Sequence, residues 1–216
     1  IKLTYCFSQE TDARRVRNTL SRLSWYRENG YDVKRLILPE GINRESSDTV
    51  TDADIHKAVE WEYDHDRYVS AANSLSELYP LYETRLADFI EEIGVPLIPD
   101  ITVNFTRYGI TGSYSLPNMV VVNVSNFYDI GLLRIVLHEI LHLHVQHLID
   151  MYAIDQWRKE ALVDLLFKSA FSDLYKETEN RQKDEELKRA ESIFENHFAD
   201  IEKTVAALQK VKADSH

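Results

Sequence analysis

Apolar and polar positions along the chain change period several times, and each change predicts an element. Ile1 to Phe7 reads as a short strand. Glu10 to Asn29 has helical spacing through Val16, Leu20 and Leu23, and Gly30 stops it. Val33 to Leu38 reads as a second strand ending at Pro39, so the first segment predicts a βαβ-like unit. The polar stretch from Ile42 to Val50 is the best linker. Asp52 to Leu78 is helical, Pro80 interrupts, and Leu81 to Ile93 continues as helix to Gly94. Beyond Pro96 and Pro99, Asp100 to Tyr108 alternates and is rich in β-branched and aromatic residues, which predicts a strand. Gly109 and Gly112 break it. Gly112 to Ser115, a turn at Leu116–Asn118 and a strand from Met119 to Val124 follow. Leu132, Leu133, Ile135, Val136, Leu137, Ile140 and Leu141 then mark a mostly buried helix, and Gln156 to Phe167 a second apolar helix. Ser172 to Val211 predicts a charged helix, continuous or broken, with Leu187, Ile193, Phe194, Phe198, Ile201, Val205 and Leu208 as its apolar stripe. The pattern is that of a mostly helical α+β protein with a small mixed or antiparallel sheet. It divides into an N-terminal segment 1–50, a core 51–170 and a C-terminal extension 171–216. No repeat and no low-complexity segment is present.

Polar residues that interrupt the buried helix carry the chemistry. His138-Glu139-Ile140-Leu141-His142 places two imidazoles one turn apart on one face, close enough to hold one Zn²⁺. Glu139, beside the first His, is placed to take a proton from a metal-activated water. Histidine and glutamate are costly in such a helix unless paired, hydrogen-bonded or metal-bound. A catalytic zinc site needs one more N or O donor and an open position. On the next apolar helix Glu160 supplies a donor. Asp164, one turn on, can accept the remaining N–H of a ligand His and set its orientation.

His138-Glu139-x-x-His142 followed by Glu160-x-x-x-Asp164 resembles the gluzincin metallopeptidases, the thermolysin-like group. The resemblance covers about residues 81 to 167, and in size the chain is most similar to the small members called minigluzincins. It implies a zincin-like fold and one Zn²⁺ per chain, held by His138, His142 and Glu160. It further implies Glu139 as the catalytic base, a supporting Asp164, and hydrolysis of peptide bonds in a peptide or protein substrate. It also implies a sheet edge that pairs with substrate backbone, by position Gly112, Ser113, Tyr114 and Ser115. A Tyr, His or Arg after the second helix commonly binds the oxyanion in that group. Tyr175 and His197 are the candidates here, with Tyr152 between the helices a third. Self-inhibition by a terminus, known among the smallest members, extends to an expectation that the 1–50 segment or the C-terminal helix covers the cleft. A metzincin pattern fits worse: Leu148 stands where the third His would be, and Val145 replaces the glycine. His144 and His147 rotate away from the His138/His142 face at about 100° per residue.

Composition narrows the remaining classes. Hydrophobic residues make up 44% of the 216, enough for a buried core. A formal net charge of −11 argues against a general nucleic-acid or anionic-membrane binder. No run of about twenty apolar residues exists, so no membrane span is expected. The one cysteine, Cys6, excludes an intramolecular disulfide and suits a reducing, cytoplasmic compartment, with secretion after signal removal as the alternative. Two other classes compete with a peptidase. One is a non-catalytic zinc-binding protein. The other is a helical protein-interaction module that docks through its C-terminal helix.

Overall fold

The structure, a computed structural model, describes residues 1–46, 49–125, 128–176, 188, 190–195 and 200–210. Its residues form two compact units that interleave along the chain. The sheet unit is Lys2–Tyr79 with Asp100–Val136. The helical unit is Ile1, Pro80–Pro99 and Leu137–His216. Neither residue 50 nor residue 170 is a boundary between them.

In the sheet unit, β1 (Lys2–Cys6), β2 (Asp100–Thr106), β3 (Gly112–Ser115) and β4 (Met119–Asn123) form one mixed sheet in the order β1-β2-β4-β3. β1 and β4 both run parallel to β2, with Tyr5 opposite Val103 and Phe105 opposite Val122. β3 is antiparallel to β4, with Ser113 opposite Val121. Alternation places Ile101, Val103 and Phe105 of β2 and Val120 and Val122 of β4 in the core.

The expected βαβ unit is absent. The parallel partner of β1 is β2, while Val33–Arg35 forms a 3₁₀ turn whose start is capped by Asp32 accepting from the Lys34 N–H at 3.0 Å. Ile37 makes only an isolated bridge with Gly109. The reason is packing. Leu36 is buried in a cluster with Ala13, Val16 and Leu20, and Val33, Ile37 and Leu38 pack against that same cluster. A strand would send neighbouring side chains to opposite faces, so a turn serves these four residues better. At Gly109, φ is +80° and an added Cβ would lie 2.5 Å from Arg15 Nε, so both backbone and space call for glycine.

The helix expected over Asp52–Leu78 is two. After α1 (Gln9–Ser21) and α2 (Leu23–Glu28), α3 spans Asp52–Glu62 and α4 spans His65–Leu78. Thr51 and Asp54 form a capping box at the start of α3. Asp64 breaks the run by capping α4, its side chain accepting from the Arg67 N–H.

The helical unit contains α5 (Pro80–Glu92), α7 (Gln156–Ala170), α8 (Ile201–Lys210) and most of α6 (Asp129–Met151), which enters it at Leu137. Pro80 begins α5, where its missing N–H costs nothing. Within this unit α6 buries Leu137, Ile140, Leu141, Leu143, Val145, Leu148 and Ile149, and Glu139, His142 and His144 are buried with them. Asp155 caps α7 by accepting from the N–H groups of Trp157 and Arg158. The C-terminal stretch is not one helix. Residues 172–174 are a turn, 190–195 are helical, and α8 starts afresh after Asp200, which accepts from the Lys203 N–H at 3.0 Å. Phe194, Ile201, Val205 and Leu208 of the expected stripe are buried, whereas Leu187 and Phe198 lie outside the described residues. No helix of the structure is long and apolar enough to cross a membrane.

Candidate metal centre

α6 and α7 bring the sequence-predicted ligands together. His138 Nε2 and His142 Nε2 are 3.1 Å apart. Glu160 Oε2 lies 3.8 Å from the first and 3.5 Å from the second. Ligand atoms about 2.0–2.1 Å from one tetrahedral zinc are about 3.3–3.4 Å from each other. The three separations bracket that value, so the residues fit a single ion with a fourth position left over. Among the described residues, His138, His142 and Glu160 are the group of His, Cys, Asp and Glu side chains that could hold a metal.

The surroundings orient these ligands. Glu160 Oε1, the oxygen turned from the imidazoles, accepts from Gln156 Nε2 at 2.7 Å. Gln156 sits one turn before Glu160 on α7, so one hydrogen bond settles which carboxylate oxygen faces the histidines. Asp164 Oδ1 faces His138 Nδ1 at 3.6 Å, within ion-pair range. That leaves His138 Nε2 for the shared position. Glu139 is buried beside His138 on α6.

Protonation of the cluster follows from burial set against charge. Burial works to lower the His138 pKa, yet the hydrogen bond with Glu160 and the charges of Glu139, Glu160 and Asp164 outweigh it and raise the value above the ordinary 6.5. His142 is driven down to about 4, chiefly by burial. Burial pushes the Glu160 carboxyl up, but His142 and His138 hold it well below its usual range. Three atoms that offer electron pairs thus converge in an enclosed place. A proton shared through His138 satisfies them, and a metal cation would do so more fully.

The other expected residues separate. Tyr152 donates its hydroxyl to Glu202 Oε1 at 2.9 Å, which ties the end of α6 to α8. Tyr175 lies in the turn after α7, its N–H donating to the Phe171 carbonyl. His197 lies outside the described residues. His144 is a core histidine: Nδ1 bonds the Ile140 carbonyl at 2.8 Å and Nε2 accepts from the Ile98 N–H at 3.1 Å. Gly112–Ser115 is β3, an edge of the sheet, and Ser113 Oγ already accepts from Arg15 Nη1 at 2.9 Å.

Two participants were not foreseen. Gln156 stands four residues before Glu160 on one helix, a spacing that could have disclosed it. Lys159 brings an ammonium to 3.9 Å from Glu160 Oε1, and helical spacing alone would not have pointed to it. No family model, no curated protein and no solved structure matches this chain.

Proposed function

We propose that the protein is a zinc-dependent peptidase of zincin-like fold and gluzincin type. The observation that carries this reading is the convergence of His138 Nε2, His142 Nε2 and Glu160 Oε2 at 3.1–3.8 Å beside a buried Glu139. Zinc bound there would polarise a peptide carbonyl and bring the pKa of water towards about 7. Glu139 takes the proton of the attacking water and delivers it to the departing amine. Asp164 holds the His138 ring in register, and Gln156 keeps Glu160 Oε2 turned to the imidazoles. Gly112–Ser115 is the proposed strand-pairing edge for an extended peptide.

The competing classes fit less well. A structural zinc staple is normally closed by four protein ligands, and three converge among the described residues. An interaction module would need the apolar stripe of the C-terminal helix, but Ile201, Val205 and Leu208 are buried. Their burial also means that deleting α8 would unfold the unit as readily as uncover a cleft.

Metal analysis combined with cleavage of a mixed peptide library, for the wild type and Glu139→Gln, tests the function. Stoichiometric zinc in both proteins with cleavage only by the wild type is expected. Zinc in both with cleavage by neither would sink the peptidase reading, and a wild type without metal would sink the site.

A further inference from the structure

Glu160 divides its contacts between its two oxygens. Oε2 lies 3.5 Å from His142 Nε2 and 3.8 Å from His138 Nε2. Oε1 accepts from Gln156 Nε2 at 2.7 Å, and Lys159 Nζ stands 3.9 Å from the same oxygen. Both of those groups belong to α7. Gln156 precedes Glu160 by one helical turn, so the two side chains meet on one face without help from another element. Their bond is at the short end for N–H···O, and the carboxylate charge strengthens it. The Glu160 side chain is only 19% exposed, so solvent competes weakly for Oε1.

A carboxylate can give a metal one oxygen or both. With one oxygen of Glu160 beside His138 and His142, a tetrahedral ion keeps its remaining position for water or substrate. With both, the protein takes that position itself. Turning Oε1 to the ion means rotating the carboxylate away from Gln156 and losing their hydrogen bond. A hydrogen bond to a charged group is worth about tenfold or more in an equilibrium. That cost falls unequally on different ions. Zinc is satisfied by a tetrahedral set of nitrogen and oxygen donors. Manganese prefers an octahedral, oxygen-rich set, and it loses more when the second oxygen is withheld.

We propose that Gln156 makes Glu160 a one-oxygen ligand, and that this restraint keeps a metal position open and favours zinc over manganese. Gln156 is a positioning residue, acting through Glu160. The inference rests on the metal site of the peptidase reading. It adds how many atoms of Glu160 bind and which ion the site prefers.

Gln156→Met, which removes the donor and keeps the length of the side chain, and Gln156→Lys test it. Cobalt(II) is the probe, because its visible absorption is strong in tetrahedral sites and weakens as ligands are added. Gln156→Met should weaken the cobalt bands relative to the wild type. It should also narrow the preference for zinc over manganese, read by competition, by about tenfold, while zinc affinity itself changes by less than that factor. Gln156→Lys returns an N–H donor one turn from Glu160 and should restore the wild-type bands. Cobalt bands and a zinc-to-manganese ratio left unchanged by Gln156→Met would overturn the proposal. So would bands that weaken in Gln156→Met and stay weak in Gln156→Lys, which would assign the effect to packing and not to the donor. A wild type that binds neither zinc nor cobalt fails this proposal and the metal site together. None of these readouts uses turnover, so a wild type that binds zinc and cleaves no peptide fails the peptidase reading alone.

Discussion

Each unit of the protein buries a carboxylate among polar partners, and the two are built in opposite ways. In the sheet unit Asp12, 1% exposed, meets donors. Thr106 Oγ1 donates to Oδ1 at 2.7 Å, the Arg107 N–H to the same oxygen at 3.3 Å, and the Tyr68 hydroxyl to Oδ2. In the helical unit Glu160 meets one neutral donor, Gln156, and turns its other oxygen to two imidazole nitrogens. The Asp12 pKa is raised, because burial outweighs what its hydrogen bonds and the more distant Arg107 charge return. The Glu160 pKa is held low despite its burial, because the histidines can carry charge. A carboxylate closed off by donors joins elements together. A carboxylate facing other electron pairs calls for a cation.

The largest test of this contrast is Glu139→Gln. It should lower peptide hydrolysis by about a thousandfold, roughly 4 kcal/mol in the barrier, with zinc stoichiometry intact. Chelation comes next. Saturating zinc at about a thousand times Kd should add about 4 kcal/mol to unfolding stability. The increment should be the same in Asp12→Asn, because the Asp12 cluster has no use for metal; thermal melts with and without zinc would show it. A zinc increment that changes in Asp12→Asn would mean the two clusters are not independent.

Asp12→Ala removes the acceptor for three donors and should cost about 3 kcal/mol in denaturant unfolding, with zinc binding unchanged. The pH dependence sharpens the point. With the folded pKa of Asp12 above its ordinary 3.8, the folded state holds the proton more tightly between the two values. Stability from this group is therefore complete below 3.8 and is lost as pH rises through the folded pKa. Asp12→Asn should be free of that loss, so the stability difference between wild type and variant should grow across this window. A constant difference would mean that burial and the donors cancel, and a difference of the opposite sign that the donors outweigh burial.

Asp164→Ala should weaken zinc binding by about 10–100-fold, through loss of the partner facing His138 Nδ1. Gln156→Ala is the smallest change. Losing one hydrogen bond to Glu160 Oε1 should cost less than about tenfold in zinc affinity, read by the same chelator competition. An equal loss in both variants would mean that orientation of the carboxylate matters as much as orientation of the ring.

The metal cluster was far more legible in the sequence than the Asp12 cluster. His138 and His142 share a face because helices repeat every 3.6 residues, and Glu160 and Asp164 share one for the same reason. Asp12 offered no such signal. Its partners Tyr68 and Thr106 lie 56 and 94 residues away, and one Asp in an amphipathic helix looks like an ordinary surface residue. The Val33–Leu38 run misled for a related reason. Its apolar residues suit a strand by composition, and only the Ala13/Val16/Leu20 cluster makes a one-sided turn the better way to bury them. Asp64 carried a readable capping signal inside the run read as one helix, and there the hydrophobic period overrode it.

The sequence by itself determined the helices that carry the candidate ligands, the strands that start at Asp100, Gly112 and Met119, and the face of each helix on which the ligands lie. These depend on periods and caps within a few residues. Tertiary structure decided that β1 pairs with a strand almost a hundred residues later, that Phe194, Ile201, Val205 and Leu208 are buried, and that Tyr152 turns to Glu202. It also decided that Glu160 meets both imidazoles and that Lys159 comes to rest beside it. Those outcomes depend on which apolar faces bury one another, and burial is a property of the whole packed chain.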